Sequence, residues 1–124
     1  MKELILKKCV KCGAVVEVLH DCTCDNCGIK CCGQEMAFCK ANNSDGAVEK
    51  HLPVVEKSDD EITVKVNHVM EDEHFIEWIM LSADGVEIKK HLKAGQAAEV
   101  KFPYFANAKV YSYCNKHGLW ATEI

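Results

Sequence analysis

In "YCNKHG" a cysteine and a histidine stand three apart, Cys114 and His117. A Cys-x-x-His turn offers one soft sulfur and one borderline nitrogen to the same ion. The other eight of the nine cysteines crowd into the first 39 residues, as Cys9, Cys12, Cys22, Cys24, Cys27, Cys31, Cys32 and Cys39. Histidine is distributed the other way: only His20 lies in that stretch, and His51, His68, His74, His91 and His117 follow it. The chain reads as a thiolate-rich head and an imidazole-rich body. His20 and His91 read as ordinary surface residues. The remaining four imidazoles, together with Cys114, exceed the four ligands of structural zinc. Such a set suits iron with five protein ligands and a sixth position for a small molecule.

The head carries a Cys-x-x-Cys-Gly knuckle, "CVKCG", and a second glycine-followed pair, "KCCGQEM". Adjacent cysteines reach one ion only where the backbone bends sharply, and Gly33 permits such a bend. Four thiolates suit iron or structural zinc. A segment this short builds little core, so a metal substitutes for one. Between the two motifs lies "DCTCDNCGIK", with a further Cys-x-x-Cys at Cys24 and Cys27. The spacing leaves three arrangements open: one iron on four cysteines, an iron–sulfur cluster drawing on Cys22, Cys24 or Cys27, or a zinc ribbon on Cys9, Cys12, Cys24 and Cys27. Cys39 reads as a small apolar side chain. A disulfide scaffold needs an oxidising compartment, and "MKELILKKCVKCG" shows neither a long apolar stretch nor a small-residue cleavage site, so the expectation is a cytoplasmic protein.

The elements that must position the body's donors are strands. In "EITVKVNHV", Ile62, Val64 and Val66 alternate with polar residues. "HFIEWIMLS" is a β-rich run closed by Asp84-Gly85, a strong hairpin signal, and "VEIKKHL" follows. "KAGQ" is another turn, and "AEVKFPYF" and "KVYSYC" continue the series. No segment shows a helical period. Short strands at regular spacing predict a β-sandwich from about residue 60 onward. His51, just before "LP", falls in a loop or at a strand start. His68 ends one strand and His74 begins the next. Cys114 ends a third, with His117 in the turn that follows. Loops at one end of a rigid sandwich are where such sites are built.

The totals exclude other classes. No run of 18 apolar residues exists, so no membrane helix is expected, and a net charge of −4 without a basic stripe argues against a nucleic-acid partner.

"EKHLPVVEK", the His68/His74 pair around "MEDEH", "FIEWIMLSADG" and "YCNKHGLW" resemble the desulfoferrodoxins, the two-iron class of superoxide reductases. In the head, "CVKCGAVVEVLH" and "CCGQEM" resemble the desulforedoxin module of that class, while the cysteine-rich interval between them is longer than the family pattern. The resemblance implies a mainly β chain, with a metal-bound desulforedoxin-like module at residues 1–38 and an immunoglobulin-like β-sandwich at 39–124. It implies a catalytic iron with His51, His68, His74 and His117 equatorial and Cys114 axial. Backbone amides near Asn115 to His117 would moderate the sulfur. Glu49 and Lys50 match the family's mobile catalytic pair. Cys9, Cys12, Cys31 and Cys32 would hold the second iron. The implied reaction is one-electron reduction of superoxide to hydrogen peroxide, for oxygen detoxification in an anaerobe. Electrons would come from a rubredoxin-like donor to a homodimer. A zinc-binding interaction module, an electron carrier and a superoxide dismutase are the competing classes.

Overall fold

The computed structural model describes residues 3–25, 27–43 and 46–124. The chain forms two compact units, Lys2–Lys40 and Ala41–Ile124. In the first unit, β1 (Leu6–Lys8), β2 (Val15–Glu17), β3 (Lys30–Cys31), β4 (Gln34–Glu35) and β5 (Ala37–Cys39) are all short. β1 lies between β2 and β5 in an antiparallel sheet, with Lys7 opposite both Val16 and Phe38. β3 and β4 form a hairpin in which Cys31 faces Gln34. Its two connecting residues, Cys32 and Gly33, have φ of 54° and 75°. A two-residue hairpin whose twist matches its strands needs positive φ at both positions. Cys39 lies half-buried on β5.

The second unit is the expected β-sandwich. After α1 (Val48–His51) come β6 (Val54–Ser58), β7 (Glu61–Lys65), β8 (Ile76–Ala83), β9 (Val86–His91), β10 (Glu99–Pro103), β11 (Lys109–Cys114) and β12 (Gly118–Glu123). One sheet has the order β10-β7-β6 and the other β12-β11-β8-β9, with every pairing antiparallel. Ile62 and Val64 of β7, Phe102 of β10, Ile79 and Leu81 of β8 and Val110 of β11 fill the space between them. The alternation in β7 has its physical cause here: Ile62 and Val64 are fully buried while Glu61 and Lys65 face solvent. The β8–β9 hairpin closes at Asp84-Gly85, with Ala83 opposite Val86 and Gly85 at φ 73°.

The structure differs from the sequence reading at four places. His51 ends a single helical turn rather than a loop or strand start, and one turn is too short to leave a helical period. The chain straightens directly after it, with Leu52 at φ −67° and ψ 131°, as Pro53 requires. β6 begins before residue 60, and β12 follows the His117 turn as a strand that the sequence reading did not place. His68 and His74 both sit inside the β7–β8 connection rather than on strand ends. An isolated bridge between Glu71 and His74 pins that connection.

β12 is a sheet edge, and Asn42 covers part of it. Its backbone N–H donates to Leu119 O at 2.9 Å, its side-chain Nδ2 donates to Ala121 O at 3.2 Å, and its Oδ1 accepts from Ala121 N–H at 2.9 Å. The side chain thus satisfies edge groups as a neighbouring strand would. Asn42→Ala leaves both Ala121 groups without these partners. The expected cost is about 2 kcal/mol, read as a lower urea midpoint for unfolding.

Candidate metal centres

In the first unit, the sulfurs of Cys9, Cys12, Cys31 and Cys32 all lie within 4.8 Å of one another. Local geometry explains each half. The knuckle folds back through Gly13 N–H to Cys9 O at 2.9 Å and Cys9 N–H to Ala14 O at 2.8 Å. Gly13 sits at φ 83° there. The Cys12 amide donates to Cys9 Sγ at 3.4 Å. On the other side, the positive-φ turn at Cys32-Gly33 brings two adjacent cysteines to one point. Cys12 and Cys31 sulfurs are 3.7 Å apart, and those of Cys31 and Cys32 are 3.9 Å apart. A metal with sulfur bonds of about 2.3 Å in a tetrahedron spaces its sulfurs by about 3.8 Å. The set fits a single ion. The hydrogen bond donated by the Cys12 amide draws the Cys9 thiol down to about 6, whereas side-chain hydrogen bonding with Cys12 pushes Cys31 up to about 12.

Cys22, Cys24 and Cys27 are not in that group. Cys24 and Cys27 are joined to each other by a disulfide. The arrangement that pairs the knuckle with Cys24 and Cys27 is therefore not the one the fold brings together.

In the second unit five donors from four places in the chain converge. The donor atoms of His51, His68, His74, Cys114 and His117 all lie within 4.8 Å of one another. His51 comes from the end of α1, His68 and His74 from the β7–β8 connection, Cys114 from the end of β11 and His117 from the β11–β12 turn. His51 Nε2 and His117 Nδ1 are 3.1 Å apart, and Cys114 Sγ is 3.4 Å from His68 Nε2 and 3.9 Å from His117 Nδ1. Nitrogens at about 2.1 Å from one ion, at right angles, would be about 3.0 Å apart. His74 Nε2 is buried with no hydrogen-bond partner. A buried polar atom of that kind calls for a missing partner, and the other four donors surround it. These are the terms on which the residues fit a metal ion.

Each ring is held from behind. His51 Nδ1–H donates to Ala47 O at 2.7 Å, which leaves the Nε2 lone pair facing inward. His68 Nδ1 bonds Val69 O in the same way. Trp120 stacks on His51, with centroids 4.8 Å apart and planes at 19°, and its Nε1–H donates to His117 O at 3.1 Å. Ser112, fully buried, donates from Oγ to His51 O at 3.0 Å. Asn115 ties the Cys114 turn to the His74 loop: its Oδ1 accepts from Phe75 N–H at 3.0 Å and its Nδ2 donates to Glu73 O at 3.0 Å. The Asn115 N–H donates to Phe75 O at 3.2 Å. Of the amides from Asn115 to His117, that of Asn115 is thus committed to the loop rather than to the Cys114 sulfur. A register shift in the β11–β8 pairing keeps Ile76 opposite Cys114 and both side chains in the core.

Sequence reasoning missed Gly46, Ser112, Asn115 and Trp120 as supports. Asn115 and Trp120 lay within "YCNKHGLW" and Ser112 within "KVYSYC", but nothing local signals the contact of an indole with a ring 69 positions earlier. Glu49 and Lys50 are exposed on α1. Lys50 lines a cavity of about 740 Å³ together with Lys65, His68 and Glu99.

The chain combines a β-sandwich bearing a four-histidine, one-cysteine cluster with a four-cysteine module. Residues 43–123 match the desulfoferrodoxin family model. The chain belongs to the desulfoferrodoxin family. It is 49% identical to the desulfoferrodoxin of Nitratidesulfovibrio vulgaris over 120 residues, covering 94% of this chain and 93% of that one. It is 44% identical to the desulfoferrodoxin of Syntrophotalea carbinolica over 126 residues, covering 98% of both. Among solved structures it is similar to the superoxide reductase of Treponema pallidum, with a TM-score of 0.72 and 28% identity over 98% of this chain and 99% of that one.

Two predictions come from this geometry. A Cβ on Gly46 would lie 3.0 Å from His51 Cε1 and 3.2 Å from His117 Cγ, at a backbone φ of 152°. Gly46→Ala should weaken metal retention in the body by about 10- to 100-fold, measured by competition with a chelator. The second concerns pH. Burial holds the His68 and His74 imidazoles below the ordinary value of 6.5, and neighbouring histidines add to the effect. The unfolded chain therefore binds more protons than the folded one once the pH falls below that value. Stability of the metal-stripped protein is full above it and declines as the pH drops toward the lowered folded values. Thermal melts of the metal-stripped protein should shift downward from about pH 7 to about pH 5.

Proposed function

We propose that this chain is a superoxide reductase, which converts superoxide, one electron and two protons into hydrogen peroxide. The observation that carries this is the convergence of His51, His68, His74, His117 and Cys114 on one point, with the buried His74 Nε2 otherwise unpartnered. The five donors are one short of an octahedral set, which suits a small anionic substrate. Bound iron, alternating between ferrous and ferric, supplies the electron. The four imidazoles add no negative charge, so the centre stays cationic and favours an anion. The Cys114 sulfur is the single anionic donor, and it raises electron density at the metal. Lys50 and Lys65, on the cavity that reaches His68, attract superoxide against the chain's net charge of −4. Lys50 also holds a water that passes protons toward the departing peroxide. Glu49 precedes it on α1 and would offer the bound iron a carboxylate when no substrate is present.

Cys9, Cys12, Cys31 and Cys32 hold a second iron, the spacing of their sulfurs supporting one ion rather than a cluster. A rubredoxin-like carrier in the cytoplasm re-reduces the body iron, and the protein serves oxygen detoxification in an anaerobe. The protein is a homodimer. Val16 and Phe38, 37% and 61% exposed on the two outer strands of the head sheet, support self-association.

Anaerobically purified, iron-loaded protein should oxidise stoichiometrically on a superoxide pulse, with peroxide formed and no dioxygen released. Dioxygen alongside peroxide would make the activity a dismutation. His51→Ala should lower the rate constant with superoxide by at least about 10-fold through loss of a metal ligand, and an unchanged rate would remove His51 from the site.

A further inference from the structure

Besides Cys39 on β5, three cysteines of the head have no place in either metal centre. Cys22 and Cys24 are exposed and Cys27 is half-buried, and all three stand in the connection between β2 and β3. Cys24 and Cys27 are joined by a disulfide across a sequence separation of 3, with Cα atoms 5.9 Å apart. Cys22 stays a free thiol, its sulfur 3.6 Å from Asp21 Oδ1. Asp21 in turn pairs with Lys7 at 3.1 Å, which anchors this end of the connection to β1.

A bridge of this kind is a poor staple. It closes a very short loop, and stabilisation by a cross-link rises with the length of loop closed. The two metal-binding motifs on either side already fix the ends of the connection. The bond therefore needs another account than fold stability. Its surroundings supply one. Cys24 is open to solvent, so a small oxidant or a reducing dithiol reaches it directly. In the bridged form the Cys27 sulfur lies 2.8 Å from the Cys24 carbonyl oxygen, so the tight turn holds both residues together. The four metal-binding thiols are engaged with one another and stand apart as a separate set.

We propose that Cys24 and Cys27 form a peroxide-reactive dithiol–disulfide pair. The proposal rests on the reductase reading in one respect only, that the protein's own product is the oxidant. Cys24, as thiolate, attacks one oxygen of hydrogen peroxide. The O–O bond breaks, a sulfenic acid forms on Cys24, and hydroxide leaves to become water on taking a proton. The Cys27 sulfur then attacks the Cys24 sulfur. The S–S bond forms, the S–O bond breaks, and a second water leaves with the Cys27 proton. Two thiols and one peroxide thus give one disulfide and two waters, with two electrons passing from sulfur to oxygen. A dithiol reductant restores the pair by exchange. Exposed and reversible bridges are the kind found where the surrounding pool is reducing.

The test uses the full-length, iron-loaded protein. It is reduced with dithiothreitol without oxygen, freed of reductant, and treated with one equivalent of hydrogen peroxide. Alkylation and peptide mass mapping should find Cys24 and Cys27 fully alkylated before peroxide. After it they should be linked to each other, with loss of two hydrogens from their peptide, while Cys22 stays alkylated. Cys24→Ser and Cys27→Ser should each abolish the linkage. Cys24 and Cys27 left alkylatable after peroxide, or shielded from alkylation in the reduced protein by a bound metal, would overturn the proposal. Because peroxide is added directly, a failed superoxide pulse on the same preparation would count against the reductase reading and leave the pair standing.

Discussion

Four imidazole nitrogens and a cysteine sulfur crowd within 4.8 Å of one another. That crowding is the constraint on which the body is built. Without a cation, such donors repel and one of them, His74 Nε2, is buried with nothing to bond. The sandwich must hold the rings together against this. It does so with partners that do not themselves face the centre: the Ala47 carbonyl, the indole of Trp120, the Ser112 hydroxyl and the amide of Asn115. Each fixes which nitrogen is free or which way a loop lies, so that the donors are arranged before metal arrives. The lowered affinity of His68 and His74 for protons has the same origin, since burial and neighbouring rings both disfavour charge there.

The head meets a related problem with much less structure. Its strands are two or three residues long and cannot hold donors rigidly by packing. Backbone conformation takes over. Cys32 accepts a left-handed φ that ordinary residues avoid, next to a glycine that adopts it freely, and the hairpin delivers two consecutive sulfurs to the site. In the bare site the neighbouring sulfurs differ in their hold on protons, with Cys9 drawn down and Cys31 pushed up. Replacement of those protons by one cation would relieve the crowding and tie β1 to the β3–β4 hairpin at once.

Strand alternation made much of the body legible. The β7 pattern, the Asp84-Gly85 hairpin and the Cys114–His117 turn are local features, written in consecutive residues. What was not legible is non-local. Gly46 matters because two rings from opposite ends of the body lie where a Cβ on it would stand, and no neighbouring residue announces that. Trp120 reads as one more apolar residue until β12 is laid beside β11. α1 is a single turn, so periodicity cannot detect it. In the head, eight cysteines at similar spacings admit several ligand sets. Only the turn at Cys32-Gly33 and the Cys24–Cys27 bridge separate the metal-binding four from the rest.

His51 and His117 touch across 66 positions of sequence. During synthesis the first of these rings emerges long before the second, and Cys114 emerges only three residues ahead of it. A nascent chain therefore holds at most three histidines of the set while most of the sandwich is being made. Iron captured at that stage would sit in an incomplete, exchangeable shell. Capture in the finished form closes a very long loop between the start and the end of the body. The last acquired hairpin, β11 to β12, thus serves as the latch that makes the ion hard to lose.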